Sequence, residues 1–170
     1  MKVKIIYGSD TGNTEHLIDT FLLNMLSDFE LEIAQVSEIT DTDWSTHECY
    51  SLGIPTWYDG ELQSDWEDYF EDFKNINFEG KKVAIFGLGD QLGYDTWFCD
   101  GIGILAKVVL ENGGKVIGYT TKDESYDFDT SKALLDKDTF YGLALDEDNQ
   151  DNLTEQRLQD WINLIKKDII

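Results

Sequence analysis

Short apolar runs alternate along the chain with longer stretches in which apolar residues recur every three or four positions. The short runs predict strands, and the amphipathic stretches predict helices. The predicted strands cover residues 3–7, 31–36, 49–54, 83–87, 116–120 and 140–145. The predicted helices cover residues 13–26, 63–73, 100–112 and 154–167. Strands that alternate with helices indicate right-handed βαβ crossovers, and therefore a doubly wound α/β fold with a parallel sheet covered on both faces.

The 170 residues contain no linker or repeat, so we expect a single domain over residues 1–170. We predict a five-stranded parallel sheet in the order 2-1-3-4-5. Residues 121–139 are too long for a structureless connection in a compact domain, and we interpret them as an insertion that splits the last strand. In this strand order the loops at residues 9–14, 55–62 and 87–95 gather at the carboxyl edge of the sheet, where such folds bind ligands.

The loop after the first strand consists of small polar residues that lead directly into a helix. They are Ser9, Asp10, Thr11, Gly12, Asn13 and Thr14. Unpaired backbone N–H groups at a helix start, together with hydroxyl groups, can hold a phosphate. The Walker spacing is absent, which disfavours nucleoside triphosphate hydrolysis. The same residue types are common helix caps, so this loop alone does not decide between a cap and a phosphate site.

Two further loops contribute aromatic residues and glycines. The loop after the third strand contains Pro55, Thr56, Trp57, Tyr58, Asp59 and Gly60; the loop after the fourth contains Gly87, Leu88, Gly89, Asp90 and Tyr94. Taken singly, the aromatic residues could stack on a planar ligand or simply cover the sheet, and the glycines could form only a tight turn. Their spacing does not match the dinucleotide motif. Together the three loops predict a site for a phosphate joined by a chain to a planar heterocycle.

The same loops carry a resemblance to the flavodoxins that extends essentially end to end. The similar segments are residues 8–15 (GSDTGNTE), 54–58 (IPTWY), 60–66 (GELQSDW), 89–91 (GDQ), 126–128, 131–134 and 142–149 (GLALDEDN). The insertion is similar to that of the long-chain flavodoxins. The resemblance implies a flavodoxin-like fold and a low-potential one-electron carrier, not an enzyme, with one non-covalently bound FMN.

The resemblance also implies roles for individual residues. Residues 9–14 would bind the FMN phosphate, and residues 56–60 would pack on one face of the flavin with Trp57 stacked. Tyr94 would stack on the other face, while Gly89 and Asp90 would bond the ring edge. Asp146 resembles a contact to the ribityl chain. The peptide between residues 58 and 59 would reorient on reduction, with Asp59 at a turn position that can take a positive φ.

Charge and composition indicate the setting. The net charge of −22, from 35 acidic and 13 basic residues, disfavours nucleic acid and anionic membranes and favours basic protein partners. The resemblance points to ferredoxin–NADP reductase, and to photosystem I or another low-potential acceptor. The chain has no apolar stretch that could insert in a membrane and no secretory leader, so we expect a cytoplasmic monomer. Cys49 and Cys99 lack metal-ligand spacing, and no metal site is predicted.

Two other functions share this type of fold. A quinone or nitro reductase that uses FMN and NAD(P)H would need room above the flavin, whereas Trp57 and Tyr94 are predicted to cap both of its faces. A phospho-receiver would need an acidic pair after the first strand and a phosphorylatable Asp after the third. The residues at 8–10 and 54–56 do not supply that set.

Overall fold

The computed structural model describes residues 2–169 and centres on a parallel sheet. Its successive strands are β2 (Glu30–Gln35), β1 (Lys2–Tyr7), β3 (Cys49–Trp57), β5 (Lys82–Leu88) and β10 (Leu143–Leu145). The short strand β4 (Glu61–Leu62) pairs antiparallel with the end of β3. The predicted order 2-1-3-4-5 is therefore confirmed, with β5 and β10 in the fourth and fifth places.

The fifth place is shared by two short strands, as the insertion predicts. Strand β6 (Lys115–Ile117) pairs with the first half of β5, and β10 pairs with its second half. Between them, β7 (Thr120–Thr121), β8 (Leu134–Asp136) and β9 (Thr139–Phe140) form a separate antiparallel sheet in the order β7-β9-β8. The strands predicted at 116–120 and 140–145 are thus too long.

Two glycines explain these shorter strands. Gly118 has φ +76°, which turns the chain out of the main sheet after β6. At Gly142 an added Cβ would lie 2.0 Å from the carbonyl oxygen of Ile85, so the chain crosses β5 closely just before β10 begins. Phe140 and Thr120 consequently belong to the small sheet of the insertion.

The helices cover both faces of the main sheet. The predicted helix 13–26 consists of α1 (Asn13–Leu17), a π-helical turn (Ile18–Leu22) and α2 (Leu23–Met25), followed along the chain by α3 (Ser64–Phe73), α4 (Asp100–Glu111) and α5 (Asp151–Ile169). Two 3₁₀ turns, Val36–Glu38 and Asp41–Ser45, connect β2 to β3. Within residues 2–169, no helix has the length and apolar character needed to cross a membrane.

The core has one layer on each side of the sheet because side chains of β1 alternate between its faces. Ile6 packs in one layer with Trp66 of α3 and Ile102 of α4. Ile5 packs in the other layer with Leu17 of α1 and Trp161 of α5. Every residue of β1 after Lys2 is buried, as expected for a strand covered on both faces.

Candidate functional site

The loops predicted to form the site lie together at one edge of the sheet. Tyr7 pairs with Gly53, and Leu88 pairs with Pro55 on one side and Leu145 on the other. The strands β1, β3, β5 and β10 therefore end side by side, because parallel strands share a carboxyl edge. Their following loops surround a groove.

Most of the predicted site residues line this groove. The lining consists of Thr11, Asn13, Thr14, Pro55, Thr56, Trp57, Leu88, Gly89, Asp90, Tyr94, Glu147 and Asp148. Asp10 and Tyr58 line a neighbouring groove on the other side of Trp57. The other predicted residues, Ser9, Gly12, Asp59, Gly60, Gly87 and Asp146, line neither groove, and their contacts with a ligand stay predictions.

The loop at residues 9–14 forms one end of the groove. Gly12 takes a left-handed conformation with φ +85°, and its N–H donates to the Ser9 hydroxyl at 2.9 Å. Thr14 is only 1% exposed, yet its Oγ1 has no hydrogen-bond partner in the part of the chain that the structure describes. An unpaired buried hydroxyl is costly, so Thr14 presents a donor that a bound oxyanion would satisfy.

Aromatic side chains lie close together beside the groove. The ring of Tyr58 lies 6.4 Å from that of Trp57 and 6.4 Å from that of Tyr94, measured between centroids. The Trp57 Nε1 is buried and makes no hydrogen bond of normal geometry to any residue in 2–169. Trp57 therefore offers the groove a planar surface.

The turn after Trp57 has its left-handed non-glycine residue at Tyr58, with φ +42°, whereas Asp59 is not among the described non-glycine residues with positive φ. A positive φ at Asp59 on reorientation of the 58–59 peptide stays a prediction. The antiparallel pairing of Trp57 with Glu61 leaves residues 58–60 as a three-residue hairpin loop, which places Tyr58 first in the turn. At Gly60 a Cβ would lie 2.8 Å from Asp100 Oδ2, so the hairpin packs closely on the start of α4.

The loop after β5 is held by the Asp90 carboxylate. Its Oδ1 accepts hydrogen bonds from Leu92 N at 3.0 Å, Gly93 N at 2.8 Å and Asn149 Nδ2 at 2.8 Å. Burial raises the pKa of Asp90, but these hydrogen bonds outweigh it and leave the pKa below its ordinary value. Asp90 is therefore a fixed negative charge beside the groove.

Asp146 points into the protein. It is fully buried, and its two oxygens accept from Gln91 N at 3.2 Å and from Asn149 N at 3.1 Å. This arrangement ties the loop after β10 to the loop after β5. A positioning role thus accounts for the Asp146 side chain, while the contact to a ribityl chain stays a prediction.

The insertion contacts the loop that carries Tyr94. The Gln91 Oε1 accepts from Asp127 N at 2.7 Å, and the Asp95 carbonyl accepts from Asp129 N at 2.9 Å and Thr130 N at 3.0 Å. These three hydrogen bonds, all donated by backbone N–H groups of the insertion, fasten the inserted segment along residues 91–95.

Sequence reasoning missed two acidic residues of the groove, Glu147 and Asp148. They follow β10 directly, so the rule that ligands lie beyond the carboxyl ends of the strands could have found them. Burial raises the pKa of Asp148, and the nearby charges of Asp90 and Asp146 raise it further. None of the described lining residues is a Lys, Arg or His, so this end of the groove is strongly negative.

The fold and site define a class: doubly wound α/β proteins that bind a ligand at the carboxyl edge of the sheet, between a phosphate-type loop and an aromatic wall. The family model for flavodoxin matches residues 5–161. The chain belongs to the flavodoxin family.

Similar proteins agree with this membership over nearly their whole length. A flavodoxin of Synechocystis sp. is 44% identical over 165 residues, which cover 97% of this chain and 96% of the relative. Flavodoxin 1 of Escherichia coli is 39% identical, with 97% of this chain and 93% of the relative covered. A crystal structure of Fusobacterium nucleatum flavodoxin bound to flavin mononucleotide has a TM-score of 0.91 at 34% identity, with 98% of each chain covered.

Proposed function

We propose that this protein is an electron carrier that holds one FMN non-covalently in the groove and transfers single electrons at low potential. The observation that carries the proposal is the unpaired buried hydroxyl of Thr14 in a groove that Trp57 and Tyr94 also line. Similarity to an FMN-bound flavodoxin at a TM-score of 0.91 supports the identity of the ligand.

The residues of the groove suit the parts of FMN. The Thr14 hydroxyl and the backbone N–H groups of residues 11, 13 and 14 would hold the phosphate. Trp57 and Tyr94 would cover the flavin ring, and Gly89 and Asp90 would contact its edge. A Cβ on Gly89 would lie 2.9 Å from Cys99 N, so this glycine lets the loop that lines the groove pack closely on the start of α4. When bound, FMN supplies one-electron redox chemistry.

The chain's own charges would lower the potential. Asp90, Glu147 and Asp148 line the groove, and each negative charge about 10 Å from the flavin, at an effective dielectric constant of about 40, disfavours a further negative charge by about 0.8 kcal/mol. Trp57 and Tyr94 both line the groove, and if they cover the two faces of the flavin they leave little room for hydride transfer from NAD(P)H. A quinone or nitro reductase is therefore not favoured.

Partners follow from the surface charge. With a net charge of −22, the protein would be steered toward basic docking faces, as a fast and weak electron shuttle requires. We propose ferredoxin–NADP reductase as donor, and photosystem I or another low-potential protein as acceptor. The buried free thiols of Cys49 and Cys99 suit the reducing cytoplasm, where we place the carrier.

Reconstitution with FMN tests the function. We expect stoichiometric FMN binding, two separable one-electron steps in a dithionite titration, and reduction by NADPH only when a reductase is added. Rapid NAD(P)H oxidation by the protein alone would establish the reductase function instead. A rate of reductase-coupled turnover that does not change with ionic strength would contradict the electrostatic docking.

A further inference from the structure

Asp10 lies in the loop predicted to bind phosphate, but its carboxylate is held by the start of α3. Gln63 Nε2 donates to Asp10 Oδ1 at 2.7 Å, and Ser64 Oγ donates to the same oxygen at 2.7 Å. A carboxylate has no proton to donate to a phosphate at neutral pH, and its negative charge opposes phosphate binding. Asp10 therefore needs an explanation other than direct contact with the ligand.

Gln63 is suited to act as an anchor. It is fully buried, and its Oε1 accepts from Trp66 N at 3.2 Å, which caps α3. Its Nε2 also donates to Asp65 Oδ2 at 3.0 Å, so the amide has donors for one carboxylate of the loop and one of the helix. A Cβ on Gly8 would lie 1.9 Å from Gln63 Oε1, so the backbone before the loop is already pressed against this side chain.

The carboxylate of Asp10 is charged when it makes these bonds. Its partial burial raises the pKa, but the hydrogen bonds from Gln63 and Ser64 lower it below the ordinary value, and the Trp57 indole N–H adds a smaller effect in the same direction. Hydrogen bonds to a charged acceptor are about twice as strong as neutral ones. The loop therefore gains a firm attachment at the position just before Thr11.

We propose that Asp10 is a positioning residue that anchors the phosphate loop to the start of α3 through Gln63 and Ser64, and thereby sets the preference for FMN over riboflavin. This inference rests on the proposed FMN site. The anchor fixes residues 11–14, whose N–H and hydroxyl groups would converge on one oxyanion. The part of the groove that would hold the ring depends on Asp10 much less, through the weak effect of the Trp57 N–H alone.

Three variants of the full chain separate the anchor from the charge. Asp10→Ala removes the hydrogen-bond acceptor and its charge. Asp10→Asn removes the charge and keeps an Oδ1 acceptor. Asp65→Ala removes the other carboxylate that accepts from the Gln63 amide, with an equal charge, and leaves residues 9–14 unchanged. For each, we would measure FMN and riboflavin affinity by quenching of flavin fluorescence, and amide hydrogen exchange of residues 8–14 without flavin.

We expect Asp10→Ala to lower the ratio of FMN to riboflavin affinity by about tenfold, as loss of a charge-assisted hydrogen bond does, and to speed exchange in the loop. Asp10→Asn should keep the ratio at or above that of the wild type, and Asp65→Ala should leave it unchanged. An unchanged or higher ratio in Asp10→Ala, or an equal fall in Asp65→Ala, would overturn the proposal. Failure of the wild type to bind FMN would instead refute the proposed function, and the exchange rates would still test the anchor.

Discussion

Replacing Thr14 by valine should change stability and FMN affinity in opposite directions. The substitution keeps the shape and β-branching of the side chain and removes Oγ1, a buried hydroxyl without a partner within residues 2–169. An unsatisfied buried polar group costs about 1–3 kcal/mol, part of which the methyl group recovers. We therefore expect the flavin-free protein to gain about 1 kcal/mol, or about 2–4 °C in Tm for a chain of this size.

The same substitution should weaken FMN binding. A hydrogen bond to a charged group contributes about 1.5–3 kcal/mol, so Thr14→Val should raise the Kd for FMN by about 10- to 150-fold. Riboflavin, which lacks the phosphate, should bind as in the wild type. Fluorescence titration and thermal unfolding measure these effects, with Thr14→Ser as the control that keeps the hydroxyl. Equal weakening for both flavins, or a less stable flavin-free protein, would refute the assignment of Thr14 to the phosphate.

Three further predictions concern charge, pH and the insertion. Because Asp90, Glu147 and Asp148 repel a phosphate, salt should tighten FMN binding severalfold and leave riboflavin binding unchanged. Flavin titrations at low and physiological ionic strength measure this effect, and weaker FMN binding at higher salt would contradict the prediction. Burial lowers the pKa of His47 below 6.5, so the unfolded chain binds more protons than the folded one as the pH falls below 6.5, and stability decreases there. Thermal unfolding between pH 5 and 7 should show a smaller decrease in stability for His47→Gln than for the wild type; an equal decrease would exclude His47 as the cause. Gly103→Ala would place a Cβ 1.8 Å from the Lys132 carbonyl oxygen, so we expect about 1–3 kcal/mol of destabilisation and faster amide hydrogen exchange in residues 121–139. Unchanged exchange in these residues would show that the insertion does not depend on this contact.

The sequence was sufficient for the sheet order and for the edge at which the loops meet, because hydrophobic periodicity and the handedness of βαβ units determine both. It was not sufficient for the tertiary contacts of single residues. A Cβ on Gly87 would lie 2.6 Å from Ile102 Cγ1, so this glycine serves the packing of α4 on β5, a need that the local sequence does not show. The inward direction of Asp146 likewise depends on Gln91 and Asn149, which only the tertiary fold brings near.

The two ends of the groove would act differently on a bound anion, and together they would account for the low potential that we propose. At the loop end, unpaired donors such as Thr14 Oγ1 favour negative charge without a cation to neutralise it. At the other end, burial together with Asp90 and Asp146 raises the pKa of Asp148, which means that this region resists a further negative charge. An environment that makes a carboxyl group retain its proton also disfavours an added electron, because both effects arise from the same electrostatic potential. On the proposed function, the donors would therefore retain the cofactor, while the carboxylates would make its electron easier to release.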